Sequence, residues 1–143
     1  MIDLSGRVVL VTGAGGTIGA GIAARFEAAG ALVVRHLGRE DGDLRTEAES
    51  VVSRAAARHG RLDAVVVTAA PSAQTLDPSR SADPEQVLDQ VDAKAMAFLR
   101  VANAVLPPMV RAGYGRVVGV SGQNAVLTGS VTGARATSAH RAA

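Results

Sequence analysis

Cysteine is absent from these 143 residues, and so is tryptophan. Without a thiol, disulfides, thiolate nucleophiles and thiolate metal sites are all excluded. Aromatic residues make up only 2% of the chain, and Tyr114 is the sole tyrosine. Lys94 is the only lysine, so the basic charge is almost entirely arginine, scattered along the sequence. Neither sign of charge dominates. Fifteen basic residues against 13 acidic ones leave +2, too balanced to imply a nucleic-acid or membrane-surface partner. No apolar run approaches the roughly 20 residues that span a bilayer. Met1-Ile2-Asp3-Leu4-Ser5-Gly6 does not read as a secretory leader, because a strand pattern follows almost at once. A cytoplasmic location is the default expectation. Repeats and low-complexity tracts are missing as well. What remains is 48% hydrophobic and 20% charged, a globular composition that suits one domain over 1–143 with a moderate core.

The chain is organised around Arg7 to Gly19. Val8-Val9-Leu10-Val11 is a continuous apolar run, which suits a strand buried on both faces. Glycines follow at Gly13, Gly15, Gly16 and Gly19. The apolar period then changes, and Ile18, Ile22, Phe26 and Ala29 recur at helical spacing. A buried strand, a glycine turn and an amphipathic helix form the first half of a dinucleotide-binding βαβ unit. Glycine lets backbone approach a pyrophosphate, and the helix start offers unpaired N–H groups with a partial positive charge. Gly13, Gly15, Gly16, Thr17, Ile18 and Gly19 are the candidate cofactor-binding residues. A ligand-free glycine turn is the plainer reading.

A second strand is expected over Ala31–His36, once Gly30 has ended the helix. In a dinucleotide site the end of this strand sets ribose specificity, and an acidic residue there accepts from a ribose hydroxyl. Here the segment carries Arg35, His36 and Arg39, and the first acid, Glu40, comes late. These basic residues suit a 2′-phosphate and favour NADP over NAD; ordinary solvated charge is the alternative. After the turn Asp41-Gly42-Asp43, a helix is expected over Glu47–His59, with Ala48, Val51, Val52 and Ala55 inward and His59 as a surface cap. Leu62–Ala70 reads as another buried strand, leaving through the small residues Thr68, Ala69 and Ala70. A polar loop runs over Pro71–Ala82. Asp83-Pro84-Glu85 then starts a long helix whose stripe is Val87, Leu88, Val91, Ala95, Phe98, Leu99, Ala102, Val105 and Leu106. Pro107-Pro108 should end that helix. Val117–Val120 is expected as a last buried strand, followed by Ser121-Gly122-Gln123-Asn124.

Strands alternating with helices imply an α/β, Rossmann-like doubly wound parallel sheet. Ligands bind beyond the carboxyl ends of such strands. Gly13–Gly19, Arg35–Arg39, Thr68–Ala70 and Ser121–Asn124 should converge there.

On these residues the chain resembles the short-chain dehydrogenase/reductase family. The resemblance rests on Thr12-Gly13-x-x-Gly16-x-x-Gly19, on Leu62-Asp63-Ala64-Val65-Val66 leading to Val67-Thr68-Ala69-Ala70 in place of Asn-Asn-Ala-Gly, and on Leu106-Pro107-Pro108-Met109 before Gly115-Arg116-Val117-Val118. It implies a nicotinamide dinucleotide, NADP or NAD, and hydride transfer with a small carbonyl or alcohol. It also implies that Asp43-Leu44 is the family's Asp-Val pair near the adenine, with the helix between the second and third strands deleted.

The family's catalytic positions are poorly kept. Its serine falls on Ser121 or, by stricter alignment, Gly122, and its asparagine on Asp92. Its Tyr-x-x-x-Lys falls on Thr137-Ser138-Ala139-His140-Arg141. A threonine hydroxyl is too weak an acid to replace the phenol. His140 is either a substitute acid or an exposed histidine. The resemblance further implies a sheet incomplete on its C-terminal side. An apolar edge at Val117–Val120 would favour a homo-oligomer. Three functions follow: an impaired NAD(P)-dependent oxidoreductase, a non-catalytic nucleotide-binding or partner-binding module, or a fragment of a longer enzyme.

Overall fold

The unbroken apolar run of β1 (Val8–Thr12) is buried along its whole length. The computed structural model describes residues 2–71 and 83–122. In it, β1 pairs on one side with β2 (Leu32–His36) and on the other with β3 (Ala64–Val67), and β4 (Arg116–Gly119) pairs with β3. Every pairing is parallel, and the order is β2-β1-β3-β4. The register sets Leu10 beside Val34 and Val65, and Val65 beside Val117.

Because side chains alternate along a strand, β1 feeds two cores. Val8 and Leu10 join Val34, Val65 and Val67 beneath α2 (Ala48–His59) and α4 (Ala97–Arg111). Val9 and Val11 join Val66 and Ala31 beneath α1 (Thr17–Ala28), through Ala23. Helices on both faces of a parallel sheet make the doubly wound, Rossmann-like arrangement that the alternation implies. On the described residues the sheet stops at β4.

The inward face of α2 is the expected one, Ala48, Val51, Val52 and Ala55, and Gly60 closes the helix in the left-handed conformation at φ 71°. Its partner helix is less simple. α3 (Pro84–Val91) is capped by the Asp83 carboxylate, which accepts from Glu85 N at 2.9 Å. It passes through a π-helical turn, Asp92–Met96, directly into α4. The inward line of α4 is Ala97, Val101, Val105 and Met109, while Leu88, Leu99 and Leu106 stay exposed. This corrects the expected stripe. Apolar residues cover more than half of the helix circumference, so spacing alone does not choose a face. Close packing of α4 on α2 selects the small and β-branched residues.

Further corrections concern element ends. Pro107 and Pro108 lie inside α4, which runs on to Arg111. The two N–H groups they lack would have served the carbonyls of Asn103 and Ala104. Asn103 faces solvent, where water can take that role. β3 is shorter than Leu62–Ala70, because Asp63 turns into a buried side-chain network instead of continuing the apolar run. The last described strand is Arg116–Gly119 and is not buried on both faces: Val118, and Val120 just beyond its end, are each more than 40% accessible. On α1, Ile18 is exposed while Gly19 and Ala23 face the sheet, so Ile22 and Phe26 pack only as a flank. Asp43-Leu44 forms no strand. Leu44 is buried in the larger core, and a short 3₁₀ turn, Arg39–Asp41, links β2 to it. Among the described residues, no helix is long and apolar enough to cross a membrane.

Candidate functional site

The turn after β1 sits where two backbones nearly touch. Gly13 takes the left-handed conformation, at φ 69°, that lets the chain leave β1 and enter α1. A Cβ on Gly13 would lie 2.8 Å from both Cα and N of Ala69, beyond the end of β3. A Cβ on Gly19 would collide with the Gly13 carbonyl and lie 2.7 Å from Thr68 Oγ1. On Gly15 it would come within 2.8 Å of the Leu37 carbonyl, beyond β2. Gly16 is different: the nearest atom, Gly13 O, is 3.5 Å away, an ordinary contact with open space beyond.

The same few residues are stitched by hydrogen bonds. Ala14 N donates to His36 O at 2.9 Å and Gly16 N to Gly13 O at 3.0 Å. The Thr68 hydroxyl donates to Thr12 O at 2.6 Å. Thr68 and Ala69 thus hold the end of β1 against the end of β3. Gly16 is the N-cap of α1, with no side-chain cap, and the first turn of the helix carries no acid. Its free N–H groups and positive dipole end are directed at the space beside Gly16.

β2 divides its basic residues between the two sheet faces. Arg35 follows Val11 onto the α1 face and forms a fork-to-fork pair with Glu27, with Nε to Oε1 at 3.0 Å and Nη2 to Oε2 at 2.8 Å. That hydrogen-bonded pairing holds the Glu27 carboxyl low and raises the Arg35 guanidinium. His36 turns to the other face, is only 4% exposed, and donates from Nε2 to Gly42 O at 2.8 Å. Its Nδ1 has no partner among the described residues. Arg39 lies 3.6 Å from Asp43. Asp43 is pulled to about 2, first by the Arg45 side chain, which holds both carboxylate oxygens, and by Arg45 N. Both carboxylate oxygens of Asp43 are therefore engaged within its own turn.

Beyond the ends of β3 and β4 lies a cavity of about 460 Å³ whose walls include Thr68, Ala69, Ala70 and Ser121. Its apolar wall is supplied by Val67, Phe98, Leu99 and Val120. Lys94, in the π-helical turn, also lines it. In the sequence Lys94 is marked only as the single lysine, set within the otherwise small and apolar stretch Ala93–Ala97. Asp92, at the family's asparagine position, is not on this wall and pairs with Arg100 at 2.8 Å.

The single tyrosine is at the wrong end. Tyr114 precedes β4, at the amino edge of the sheet, with the Arg7 and Arg116 guanidiniums 4.4 and 5.0 Å from its ring centre. Beside it, Asp63 is buried and accepts from Val8 N at 2.9 Å, from Arg7 at 3.1 Å and from Arg61. Burial pushes the Asp63 carboxyl up, but the hydrogen bonds from Arg61, Val8 and Arg7 together hold it below the ordinary value. Gln123, Asn124, Thr137, Ser138, His140 and Arg141 lie outside the described residues, as does most of the Pro71–Ala82 loop.

Of the four candidate segments, the structure brings three backbone turns together: Gly13–Gly19, His36–Leu37 and Thr68–Ala69. Ser121 shares a cavity with the last of these. A protein-family model described as short chain dehydrogenase matches residues 40–140. That match begins after the glycine turn, whereas similar solved structures cover nearly the whole chain. One described as a dehalogenation enzyme is 29% identical with a TM-score of 0.80, and covers 99% of this chain and 64% of its own. A short-chain type dehydrogenase/reductase from Mycobacterium ulcerans is 27% identical, with a TM-score of 0.77 and coverages of 96% and 58%. A variant of actinorhodin polyketide ketoreductase, solved with NADPH, is 27% identical, with a TM-score of 0.73 and coverages of 95% and 60%. The chain therefore spans less than two thirds of the length of these structures. No curated protein matches it significantly.

Proposed function

Because this chain belongs to the short-chain dehydrogenase family, we propose that it holds a nicotinamide dinucleotide across the carboxyl ends of β1 and β3. The observation that carries this reading is the contrast within the glycine turn. Gly13, Gly15 and Gly19 have backbone packed against the place of a side chain, while Gly16, at the bare start of α1, has open space. That space is where a pyrophosphate fits, against N–H groups and without a repelling carboxylate. Thr17, Ile18 and Gly19 supply the N–H groups, and Thr68, Ala69 and Ala70 leave room for the nicotinamide half. The similar ketoreductase described with NADPH supports the class of cofactor. NADP is favoured over NAD because β2 itself ends in the basic residues Arg35 and His36, Arg35 can exchange Glu27 for a phosphate, and the nearby Asp41 carboxylate is already engaged by Leu37 N at 2.6 Å.

The bound nicotinamide would exchange a hydride with a small carbonyl or alcohol, which makes the chain an NAD(P)-dependent oxidoreductase by class. What these residues add is modest. Ser121 borders the cavity and can donate to a carbonyl oxygen. Tyr114 stands at the other end of the sheet and cannot supply the proton. Low turnover is therefore part of the proposal, and nucleotide binding without catalysis is the second reading, favoured by that same displaced tyrosine. The exposed Val118 on β4, with Val120 just after it, supports homo-oligomerisation. Titration calorimetry with NADPH and NADH tests the cofactor site: binding that is lost in a folded Gly16→Val protein supports it. Absence of binding by the unmodified chain sinks it.

A further inference from the structure

We propose that Lys94 makes the cavity beyond β3 and β4 a capture site for apolar aldehydes, by reversible imine formation on its amine. Three observations meet there. The cavity is about 460 Å³, and among the described residues on its wall Lys94 is the only ionisable one. Val67, Met96, Phe98, Leu99 and Val120 are its larger apolar members. Lys94 sits in the π-helical turn Asp92–Met96, a wider turn of the kind that recurs at functional positions. It has no carboxylate or hydrogen-bond partner among the described residues.

A half-buried ammonium without an anion is unfavourable in apolar surroundings, and burial lowers the Lys94 amine below its usual value. The neutral amine is the nucleophile. Its lone pair attacks the aldehyde carbon; the C–N bond forms as the C=O π pair moves to oxygen, which takes a proton to give a carbinolamine. Loss of water then leaves the imine, so no oxidant or reductant is consumed. Ser121, on the same wall, offers a hydroxyl to the carbinolamine oxygen. An apolar chain on the aldehyde would fill the space between Phe98, Leu99 and Val120. This inference does not need a nicotinamide in place.

Since Lys94 is the only lysine, the test is clean. The full chain is incubated near neutral pH with hexanal and sodium cyanoborohydride, and the trapped amine is located by peptide mass mapping. The amino-terminal amine and a blocked free lysine serve as references. Trapping at Lys94 is expected to exceed that of free lysine by about fivefold or more, and hexanal should outpace glyceraldehyde. The excess should vanish in guanidinium chloride. Lys94→Arg should abolish the adduct at this position. Leu99→Glu should slow trapping by placing an anion on the cavity wall that holds the amine protonated. A rate no greater than that of free lysine, or an excess that survives unfolding, overturns the proposal even if the Leu99 variant fails to fold.

Discussion

Substituting the glycines of the β1–α1 turn one at a time should separate fold from binding. At Gly19, alanine gains roughly 0.5–1 kcal/mol of helix propensity. Against that, its Cβ would lie 2.7 Å from both Gly13 C and Thr68 Oγ1, well inside ordinary contact. Overpacking of this kind costs about 1–3 kcal/mol, and relief requires α1 to lift from the sheet, loosening Ala14 and Ala23. A net loss of about 1–2 kcal/mol is expected, or roughly 2–8 °C in melting temperature for a chain of this size. Gly13→Ala should be worse. It adds the left-handed penalty, about 1–2 kcal/mol, to a collision with the Ala69 backbone. Gly16→Ala meets nothing closer than 3.5 Å at φ −86°, and should cost no more than about 1 kcal/mol as an altered cap. Gly16→Val should nevertheless weaken NADPH binding by at least about tenfold, equivalent to 1.4 kcal/mol, because its branches enter the space assigned to the pyrophosphate. Circular dichroism melts and calorimetric titrations on the same preparations provide the comparison. A Gly19→Ala protein as stable as the unmodified chain would refute the packing argument, and a Gly16→Val protein that binds normally would refute the site.

Three further outcomes are expected. Glu27→Gln releases Arg35 from its carboxylate, so the preference for NADPH over NADH should rise by roughly three- to tenfold, and an unchanged ratio would remove Arg35 from the cofactor site. Asp63→Asn should destabilise the chain by about 2 kcal/mol near neutrality, since hydrogen bonds from charged donors to a buried carboxylate are weakened. The Asp63 pKa is lowered in the folded state, so this contribution is fully present above about pH 4. It is lost as pH falls through the native value, and the two proteins should converge only in acid; a gap that persists there, or none at neutrality, contradicts the assignment. Finally, NADPH and NADH oxidation with ketones, aldehydes and quinones should stay about 10²–10⁴-fold below working enzymes for want of a positioned acid. Turnover near one per second would instead point to His140, and His140→Ala would decide whether it is the donor.

Some of this molecule is legible in its sequence because one physical demand dominates. In α2, Ala48, Val51, Val52 and Ala55 gather on one face between charged flanks, so spacing suffices. At the glycine turn the change from an unbroken strand run to helical spacing marks the bend, and Gly13 is required by a positive φ. In α4 the apolar residues exceed what one face can hold, and the choice of Val101 over Leu99 is made by the neighbouring helix. The π-helical turn leaves no pattern, so the sequence marks Lys94 as the single lysine but does not say that it faces the cavity. The sequence does not show the pairing of Arg35, because its partner, Glu27, approaches only after α1 folds back on β2. Asp43 kept its position in the chain and lost its availability to Arg45, a neighbour whose reach depends on the short turn before it.

The arginine-flanked Tyr114 has an optical consequence. In a chain without tryptophan, essentially all near-ultraviolet absorption and emission arise from that one phenol. It is held between two guanidiniums where Arg7 leads into β1 and Arg116 begins β4. Its signal reports whether the amino edge of the sheet is still assembled and is blind to events beside Gly16. A reduced nicotinamide absorbs and emits at longer wavelength, with no indole to mask it or feed it by energy transfer. One cuvette would therefore carry two independent colours, one for the floor of the sheet and one for its mouth, and a ligand that alters only the second would show that the two ends are mechanically uncoupled.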